Sequence, residues 1–372
     1  MVIAVITLFL LIFGGFHLYL YRKIVAAFHP PARIRSALTL LFAVMVVAPT
    51  VNRLIDHLGY PVLSRALNFP VFIWIAWLFW FFVAGILVDL WNLLLRRTHA
   101  SLRLTIPVRL QVYGLLLLIL ITTGWSLHEA YQPRISQVTL RSPVFAGGEP
   151  IRIVQISDVH LGMLRNDDWA RMICRTIQSL KPDLLVSTGD LVDTSMKSIG
   201  NQANFWTDIH APLGKWAVLG NHEYYLGLSE SLAFHAKAGF RVLREESVDI
   251  GQTLQISGVD DYDGKRLGQA CFSDESTLKT VPGDHRYRIL LKHRPTLSDG
   301  TSSRFNLQLS GHTHNGQLFP FKLIVRLNHR YTHGLYEPIP GFLLYVSSGV
   351  GTWGPPMRLF APPEITVFTL TR

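Results

Sequence analysis

Hydrophobic residues dominate the first third of the chain, where four apolar runs are separated by short polar segments. The runs cover about residues 2–20, 37–51, 71–95 and 110–125. A helix needs about 20 apolar residues to cross the ~30 Å hydrocarbon core of a bilayer, and the second and fourth runs fall a few residues short. The pattern predicts a transmembrane helical domain over residues 1–126, a bundle of about four spans. A cleaved signal peptide is the alternative for the first run, but no basic leader precedes it and further runs follow.

The pattern changes after Trp125. The polar stretch 127–150 predicts a linker with one strand at 137–140. From residue 151 to 372, short apolar runs alternate with helical patterns, which is typical of a layered α/β domain. A helix is expected at 166–180, because Asn166 and two aspartates stand at its start and apolar residues recur on one face. Buried strands are expected at 151–156, 184–187, 216–219, 287–291, 305–309, 343–347 and 365–370.

Charge follows the same division. Residues 1–126 hold ten Arg or Lys and two Asp, whereas the rest of the chain is close to neutral, within a formal net charge of +10. A nucleic-acid-binding protein concentrates positive charge on its working domain, so no nucleic-acid partner is expected. The basic residues cluster in the first and third loops between the runs, which the positive-inside rule places in the cytoplasm. We therefore expect a multi-pass protein of the bacterial inner membrane, with the domain at 151–372 extracytoplasmic.

Polar and aromatic residues within the runs are interpreted as packing residues. Asp89 lies in the third run, where a charge marks either function or packing, and we expect an interfacial or helix-packing role. Trp74, Trp77 and Trp80 recur at helical spacing, which is typical of a packing stripe. No acidic or histidine relay crosses the runs and no repeat unites them, which argues against a transporter.

Side chains able to bind metal follow five of the predicted strands. In chain order they are Asp158 and His160, Asp190 and Asp193, Asn221 and His222, His293, and His312 and His314. α/β domains place their sites at the carboxyl ends of the strands. Alternate residues of an extended segment project to one side, so in Asp-x-His and in His-x-His two ligands can approach one metal. A lone histidine at a strand end is usually structural, but five such ends in succession favour a site.

The ligand types indicate the metal. Carboxylate, imidazole and amide oxygen form a mixed, fairly hard donor set that suits Mn²⁺, Fe or Zn²⁺ better than Ca²⁺ or a thiolate-bound metal. The set exceeds one coordination shell, and a carboxylate can bridge two ions. We therefore expect two divalent metal ions about 3.5–4 Å apart, which would clamp an in-line displacement at phosphorus.

These strand-end motifs resemble the signature of the calcineurin-like metallophosphoesterases. The matching residues are Asp158-x-His160, Gly189-Asp190-x-x-Asp193, Gly220-Asn221-His222-Glu223, His293 and Gly311-His312-x-His314. The resemblance covers about residues 151–372, and segments 311–317, 349–355 and 363–365 are similar to the bacterial membrane-associated branch. It implies two packed mixed β-sheets flanked by helices, a four-layer sandwich, preceded here by the transmembrane bundle.

The resemblance also implies a ligand set for each metal. It assigns one metal to Asp158, His160 and His314, the second to Asn221, His293 and His312, and the bridging position to Asp190. Glu223 is expected to support this set rather than to bind metal.

Catalytic roles are implied in the same way. A metal-bridging hydroxide would attack phosphorus, His222 would protonate the departing alkoxide, and Asp193 would orient His222. The alternative for His222 is that it only lines the pocket.

Together these inferences predict a membrane-anchored phosphoesterase acting on a phosphodiester, pyrophosphate or phosphomonoester. Four spans exceed what tethering needs, which points to an envelope lipid or lipid-linked substrate at the bilayer, with no obligate protein partner. A protein Ser/Thr phosphatase is disfavoured, because Thr194-Ser195 stand where those enzymes have Arg-Gly. The alternatives are a non-catalytic membrane sensor or scaffold that binds metal or phosphate, and a nuclease, which the near-neutral second domain disfavours.

Overall fold

The structure is a computed structural model, and it describes the chain in two units. The described residues are 2–98, 104–143, 145, 149–162, 164, 166–193, 199, 201–269, 278 and 285–372. The first unit comprises Met1–Ser126 with Gly354–Pro356, and the second comprises Leu127–Trp353 with Met357–Arg372. Thr194 and Ser195 lie outside the described residues.

The first unit is helical. Its helices are α1 (Val2–Phe28), α2 (Ala32–His57), α3 (Pro61–Arg97) and α4 (Val108–Ala130), and the last turn of α4 belongs to the second unit. All four are long and apolar enough to cross a membrane, so the prediction of four apolar N-terminal helices is confirmed. The second and fourth helices are longer than their apolar runs, because each continues through flanking polar residues.

Polar side chains join the helices of the first unit. Lys23 and Asp89 form an ion pair between α1 and α3, and the Tyr19 hydroxyl donates to Oδ2 of Asp89 at 2.7 Å. The Trp74 indole lies 2.9 Å from Nε2 of His17, and the Trp77 indole donates to Thr123 at 2.8 Å. These contacts confirm a packing role for Asp89, Trp74 and Trp77, and Trp80 is buried.

The second unit alternates strands and helices. Its strands are β1 (Arg134–Arg141), β2 (Ile151–Ile156), β3 (Leu184–Ser187), β4 (Lys215–Ala217), β5 (Arg241–Val242), β6 (Glu246–Ile250), β7 (Leu254–Gly258), β8 (Tyr287–Leu291), β9 (Leu307–Ser310), β10 (Gly334–Ile339), β11 (Phe342–Val346) and β12 (Glu364–Thr371). Its helices after α4 are α5 (Asp167–Ser179), α6 (Ala203–Thr207), α7 (Asn221–Leu226), α8 (Leu228–Lys237), α9 (Asp263–Arg266), α10 (Thr301–Arg304) and α11 (Phe321–Asn328), with a 3-10 turn at His314–Gly316.

The strands form two six-stranded sheets within the described part of the chain. One has the order β1-β12-β2-β3-β4-β5 and the other β10-β11-β9-β8-β7-β6. In the first sheet β2 to β5 are parallel and β12 runs antiparallel to β2; in the second, β11, β9, β8 and β7 are parallel with antiparallel edges. The predicted linker contributes β1, which pairs in parallel with β12.

A hydrophobic layer between the sheets holds them together. Ile153 and Val186 of the first sheet pack in one cluster with Ile256, Ile289 and Leu309 of the second, all fully buried. The other face of the first sheet is covered by helices, including α5, which Asn166 caps by accepting the N–H of Trp169 at 3.0 Å. The predicted architecture of two mixed sheets flanked by helices is confirmed. The parallel strands of both sheets bring their carboxyl ends to one edge.

Candidate metal centre

The segments after β2, β3, β8 and β9 meet through backbone hydrogen bonds. Asp158 donates its N–H to the carbonyl of Gly189 at 2.9 Å, and His160 donates to the carbonyl of Asp190 at 3.0 Å. Gly311 donates to the carbonyl of His293 at 2.9 Å. His312 donates its N–H to Oδ2 of Asp158 at 3.0 Å across 154 positions, which joins the two pairs of segments into one buried cluster.

Asp158, His160 and His314 form the first group of candidate ligands. Nε2 of His160 and Nε2 of His314 are 3.0 Å apart, and Nε2 of His314 is 3.4 Å from Oδ1 of Asp158. All three residues are buried. One donor atom from each lies within 4.8 Å of the others, as a single metal ion requires.

Asp190, His293 and His312 form the second group, and Asn221 joins it. Nε2 of His293 lies 3.3 Å from Oδ2 of Asp190, 3.2 Å from Oδ1 of Asn221 and 3.2 Å from Nδ1 of His312. Oδ2 of Asp190 also lies 3.8 Å from Nε2 of His160. Asp190 therefore stands between the two groups, where a bridging ligand would stand.

His222 and Asp193 form a pair beside the first group. Nδ1 of His222 is 2.6 Å from Oδ1 of Asp193, and the His222 ring packs edge-on against His160 at a centroid distance of 4.7 Å. The backbone N–H of His222 donates to Oδ1 of Asp190 at 2.9 Å. The structure thus brings all nine predicted site residues together; their binding and catalytic roles stay predictions.

Left-handed backbone conformations produce this convergence. Five of the nine residues have positive φ, namely Asp158 (50°), His160 (48°), Asp190 (54°), His312 (72°) and His314 (48°). Such conformations are uncommon outside glycine and concentrate at functional sites. Each strand therefore turns sharply as it ends.

Two glycines are required because side chains of the site press against them. A Cβ on Gly220 would lie 2.2 Å from Oδ1 of Asp190, and one on Gly311 would lie 1.9 Å from Oγ of Ser157. No side chain fits at these distances. The glycines that precede Asn221 and His312 are therefore explained by close approach.

The site keeps His160, His312 and His314 neutral, and it holds Asp190 and His293 as an ion pair. Burial lowers the pKa of His160 to about 4, and burial also holds the pKa values of His312 and His314 well below their usual range. Burial opposes ionisation of Asp190 and His293, but their mutual attraction outweighs it: the pKa of Asp190 lies well below its usual value and that of His293 rises to about 10. Neutral imidazoles around a carboxylate are the forms that bind a cation.

The donor set fits two divalent cations. Nδ1 of His293 lies 2.8 Å from the carbonyl oxygen of Thr188, so it keeps its proton, and a cation bound at Nε2 would replace the proton that pairs with Asp190. Among the described residues, Nδ1 of His160 is buried without a hydrogen-bond partner. Asp158 and Asp190 are almost fully buried, and buried carboxylates need cationic partners. The residues present therefore suit the expected metals.

Glu223 supports the loops rather than facing the cluster. Its Oε1 accepts the N–H groups of Leu191 and Val192 at 2.7 and 3.1 Å, and its Oε2 accepts those of Asp190 and Gly220 at 2.9 and 2.7 Å. Four backbone donors occupy this fully buried carboxylate. These contacts explain the expected supporting role of Glu223.

Arg358 supports the opposite side and is missed by the sequence analysis. The side chain is fully buried and donates to the backbone carbonyls of His314, Ser348, Gly349, Gly351 and Ala361 at 2.5–3.2 Å. Its Nη2 is also 3.2 Å from Nδ1 of His314. The loop that Arg358 holds contacts the first ligand, because Gly351 donates to the carbonyl of Asp158 at 2.8 Å.

Arg294 lies against the second group. Its Nη1 is 3.0 Å from Nε2 of His312, its Nε donates to Asp261 at 2.7 Å, and its Nη2 donates to Asp263 at 2.9 Å. The guanidinium also stacks over the Tyr262 ring at 4.1 Å. The sequence carried a signal for Asp261, since it follows the buried strand β7 just as the ligands follow theirs.

Comparisons with known proteins agree with this geometry. Residues 151–316 match the calcineurin-like phosphoesterase family. The chain is 46% identical over 243 residues to an uncharacterized metallophosphoesterase of Aquifex aeolicus, covering 65% of this chain and 93% of that one. It is 30% identical over 370 residues to one of Campylobacter jejuni, covering 97% and 96%. A Danio rerio transmembrane protein with metallophosphoesterase domain is 27% identical over 409 residues, covering 97% and 87%.

Proposed function

This chain belongs to the calcineurin-like metallophosphoesterases, and we propose that it is a metal-dependent phosphoesterase anchored in a membrane by its N-terminal helices. The observation that carries the proposal is the buried convergence of two ligand groups on Asp190. We further propose that the metals are Mn, Fe or Zn and that the substrate is a phosphate ester linked to a membrane lipid.

The ligand groups would hold the two cations, with Asp190 shared between them. The cations, once bound, would activate a water molecule and neutralise charge on the phosphate. The carbonyl of Thr188 fixes the tautomer of His293, and the backbone N–H of His222 fixes the carboxylate of Asp190. The chain therefore contributes a ligand set that is oriented before substrate arrives.

His222 would act as the general acid. Its Nδ1–H donates to Asp193, so Nε2 is the nitrogen that would transfer a proton to the departing alkoxide. Asp193 would orient the ring and stabilise its protonated form. The side chain of His222 is only 8% exposed, which limits competition from solvent for that proton.

The proposed membrane anchoring is supported by the composition of the helices and the name of one relative, and the proposed orientation by the charge of the loops. Four helices have the length and composition of membrane spans, and the Danio rerio relative is named as a transmembrane protein. The basic loops favour an extracytoplasmic second unit in a bacterial inner membrane. A reporter fused to the C-terminus tests this orientation: we expect a periplasm-active reporter to function and a cytoplasm-only reporter to fail.

The activity test uses the full chain in detergent with Mn²⁺ and bis-p-nitrophenyl phosphate. We expect hydrolysis, about two bound Mn²⁺ per chain, and a loss of about 1,000-fold or more in Asp190→Asn together with lost metal. Asp168→Asn, at an exposed position of α5, is the matched control and should retain both. Full activity of Asp190→Asn would refute the proposed mechanism, and faster hydrolysis of single-stranded DNA would indicate a nuclease.

A further inference from the structure

Helix α11 turns its apolar side away from the protein. None of its described residues is buried, and Leu327 is 87% exposed. The opposite side of the helix faces the protein, because a Cβ added to Gly316 would lie 2.3 Å from Cα of Lys322. A surface helix of a soluble domain shows the reverse arrangement, with apolar residues inward.

Neighbouring aromatic side chains extend this surface. Phe319 precedes α11 and packs edge-on against Phe360 at a centroid distance of 5.9 Å. We define the apolar patch as the exposed side chains of Phe319, Phe321, Leu323, Ile324, Leu327 and Phe360. Exposed apolar patches on soluble domains mark interaction sites.

Cations accompany the apolar patch. Segment 317–341 contains Lys322, Arg326 and Arg330 but only one acidic residue, Glu337. Arg326 and Arg330 are exposed. Exposed aromatic and leucine side chains flanked by Lys and Arg are the composition of helices that lie in the interface of an anionic bilayer.

The apolar patch is bonded to the end of a candidate membrane span. Glu129 lies in the last turn of α4, within the second unit, and its Oε2 accepts the N–H of Phe360 at 3.1 Å. Lys322 donates from Nζ to the carbonyl of Phe360 at 3.3 Å. Where α4 leaves a bilayer, lipid headgroups are therefore the nearest partner for the patch.

The segment around α11 also reaches the candidate metal centre at both ends. Before α11, Gln317 donates to the carbonyl of Trp353 at 2.9 Å, and the Trp353 ring lies 6.2 Å from that of His222. After α11, the His329 ring packs edge-on against His312 at 5.6 Å. A lipid headgroup beside the apolar patch would therefore lie close to residues of the candidate metal centre.

We propose that α11 lies in the interface of an anionic bilayer, with the apolar patch among the acyl chains and Arg326 and Arg330 at the headgroup phosphates. The metal centre then takes its phosphate ester from this lipid surface. The inference rests on the proposed function and specifies its substrate as an ester whose lipid part stays in the membrane.

The position of α11 is tested without measuring activity. Leu327→Cys, in a Cys271→Ser background, is labelled with an environment-sensitive fluorophore in the full chain; Cys174 is buried. In nanodiscs containing phosphatidylglycerol we expect the label to be quenched by spin-labelled lipid. Lys237→Cys, at the exposed end of α8, is the control and should stay unquenched. An unquenched label on Leu327→Cys overturns the proposal, and shielding without lipid quenching assigns the patch to a protein contact instead.

The substrate arm compares two esters with the same leaving group in the same nanodiscs. These are phosphatidyl-p-nitrophenol, which stays in the bilayer, and soluble bis-p-nitrophenyl phosphate. We expect Leu323→Asn combined with Leu327→Asn to lower hydrolysis of the lipid ester about tenfold or more and to leave the soluble ester unchanged. Arg326→Gln combined with Arg330→Gln should cost about fivefold per cation on the lipid ester alone.

The two proposals fail separately. Absence of soluble-ester hydrolysis in the unmodified chain would reject the phosphoesterase, whatever the position of α11. Equal loss on both esters in the leucine variants, or no loss on the lipid ester, would reject lipid delivery through α11 while leaving the phosphoesterase intact.

Discussion

The two sides of the candidate metal centre are held by buried ions of opposite sign. Beside the first ligand group, Arg358 donates to five backbone carbonyls. Beside Asp190, Glu223 accepts four backbone N–H groups. Turns with left-handed residues leave the sheet ladder, and their buried polar groups still need partners. One multidentate ion on each side satisfies several of them at once.

The two ions differ in how firmly they stay charged. A guanidinium stays protonated throughout the pH range of folded proteins, whereas burial and the charge of Asp190 raise the pKa of Glu223 to about 7. The loops beside His314 are therefore held by an ion that stays charged. Loss of Arg358 should also destabilise the fold more than loss of Glu223, because Arg358 binds more backbone groups than Glu223. Four predictions test this difference, ordered by expected size.

Arg358→Met should have the largest effect. Methionine fills the apolar part of the space but removes the donor of five carbonyls, of which, among the described residues, only those of His314 and Gly349 keep a backbone N–H donor, so we expect the free energy of unfolding to fall by about 5 kcal/mol. Denaturant titration of the full chain in detergent measures it. Arg175→Met, at an exposed position of α5, is the control and should change stability by less than about 0.5 kcal/mol. Equal effects of the two variants would contradict the role of Arg358.

Glu223→Gln should follow, with a loss of about 4 kcal/mol. The glutamine oxygen still accepts two N–H groups, but its amide nitrogen directs donors at the other two. Glu230→Gln, exposed on α8, serves as the control in the same titration. A larger loss of unfolding free energy in Glu223→Gln than in Arg358→Met would show that the Glu223 side contributes more to stability than the Arg358 side.

The ionisation of Glu364 tests the Arg358 side of the centre through the pH dependence of stability. Glu364 accepts the N–H of Ser348, whose carbonyl is bound by Arg358. Burial opposes its ionisation, but the hydrogen bond and charge of His333, together with hydrogen bonds from Ser136 and Ser348, outweigh burial and lower the pKa of Glu364 to about 2. A lowered pKa stabilises the fold above the unfolded value of 4.5, and that stability is lost as the pH falls from about 4.5 towards 2.

The expected size of the Glu364 effect is about 3 kcal/mol near neutral pH. Unfolding titrations of the full chain from pH 6 to pH 3 should show a shallower decline in Glu364→Gln than in the unmodified chain. Parallel pH profiles would mean that Glu364 does not ionise differently in the folded state.

Arg294→Gln should have the smallest effect and a different readout. Arg294 contacts the ring of His312 and two buried carboxylates rather than backbone carbonyls, so we expect about 10- to 100-fold weaker Mn²⁺ binding and a loss of only about 2 kcal/mol in stability, because glutamine still donates to one of the carboxylates. Arg266→Gln is a matched control, because Arg266 shares Asp263 as a partner. A large loss of stability in Arg294→Gln would show that both arginines hold the fold.

Sequence patterns predicted the parts of this site that depend on local rules. Buried strands end where apolar runs end, and the candidate ligands follow those ends directly. No such rule predicts Arg358. Its partners are backbone carbonyls of several loops, and every residue type carries a backbone carbonyl. The exposed apolar side of α11 was missed for a related reason. Helical spacing indicates an apolar face, but only tertiary packing decides whether that face is covered.

The left-handed turns at Asp158, His160, Asp190, His312 and His314 restrict how the centre could be redesigned. Asp, Asn and His enter this backbone region more readily than other side chains, and β-branched residues are true outliers there. A change of metal preference that placed a β-branched residue at one of these positions would therefore strain the backbone, whichever donor atom the new side chain offered. The repertoire of donors at this centre is thus limited by handedness as well as by charge.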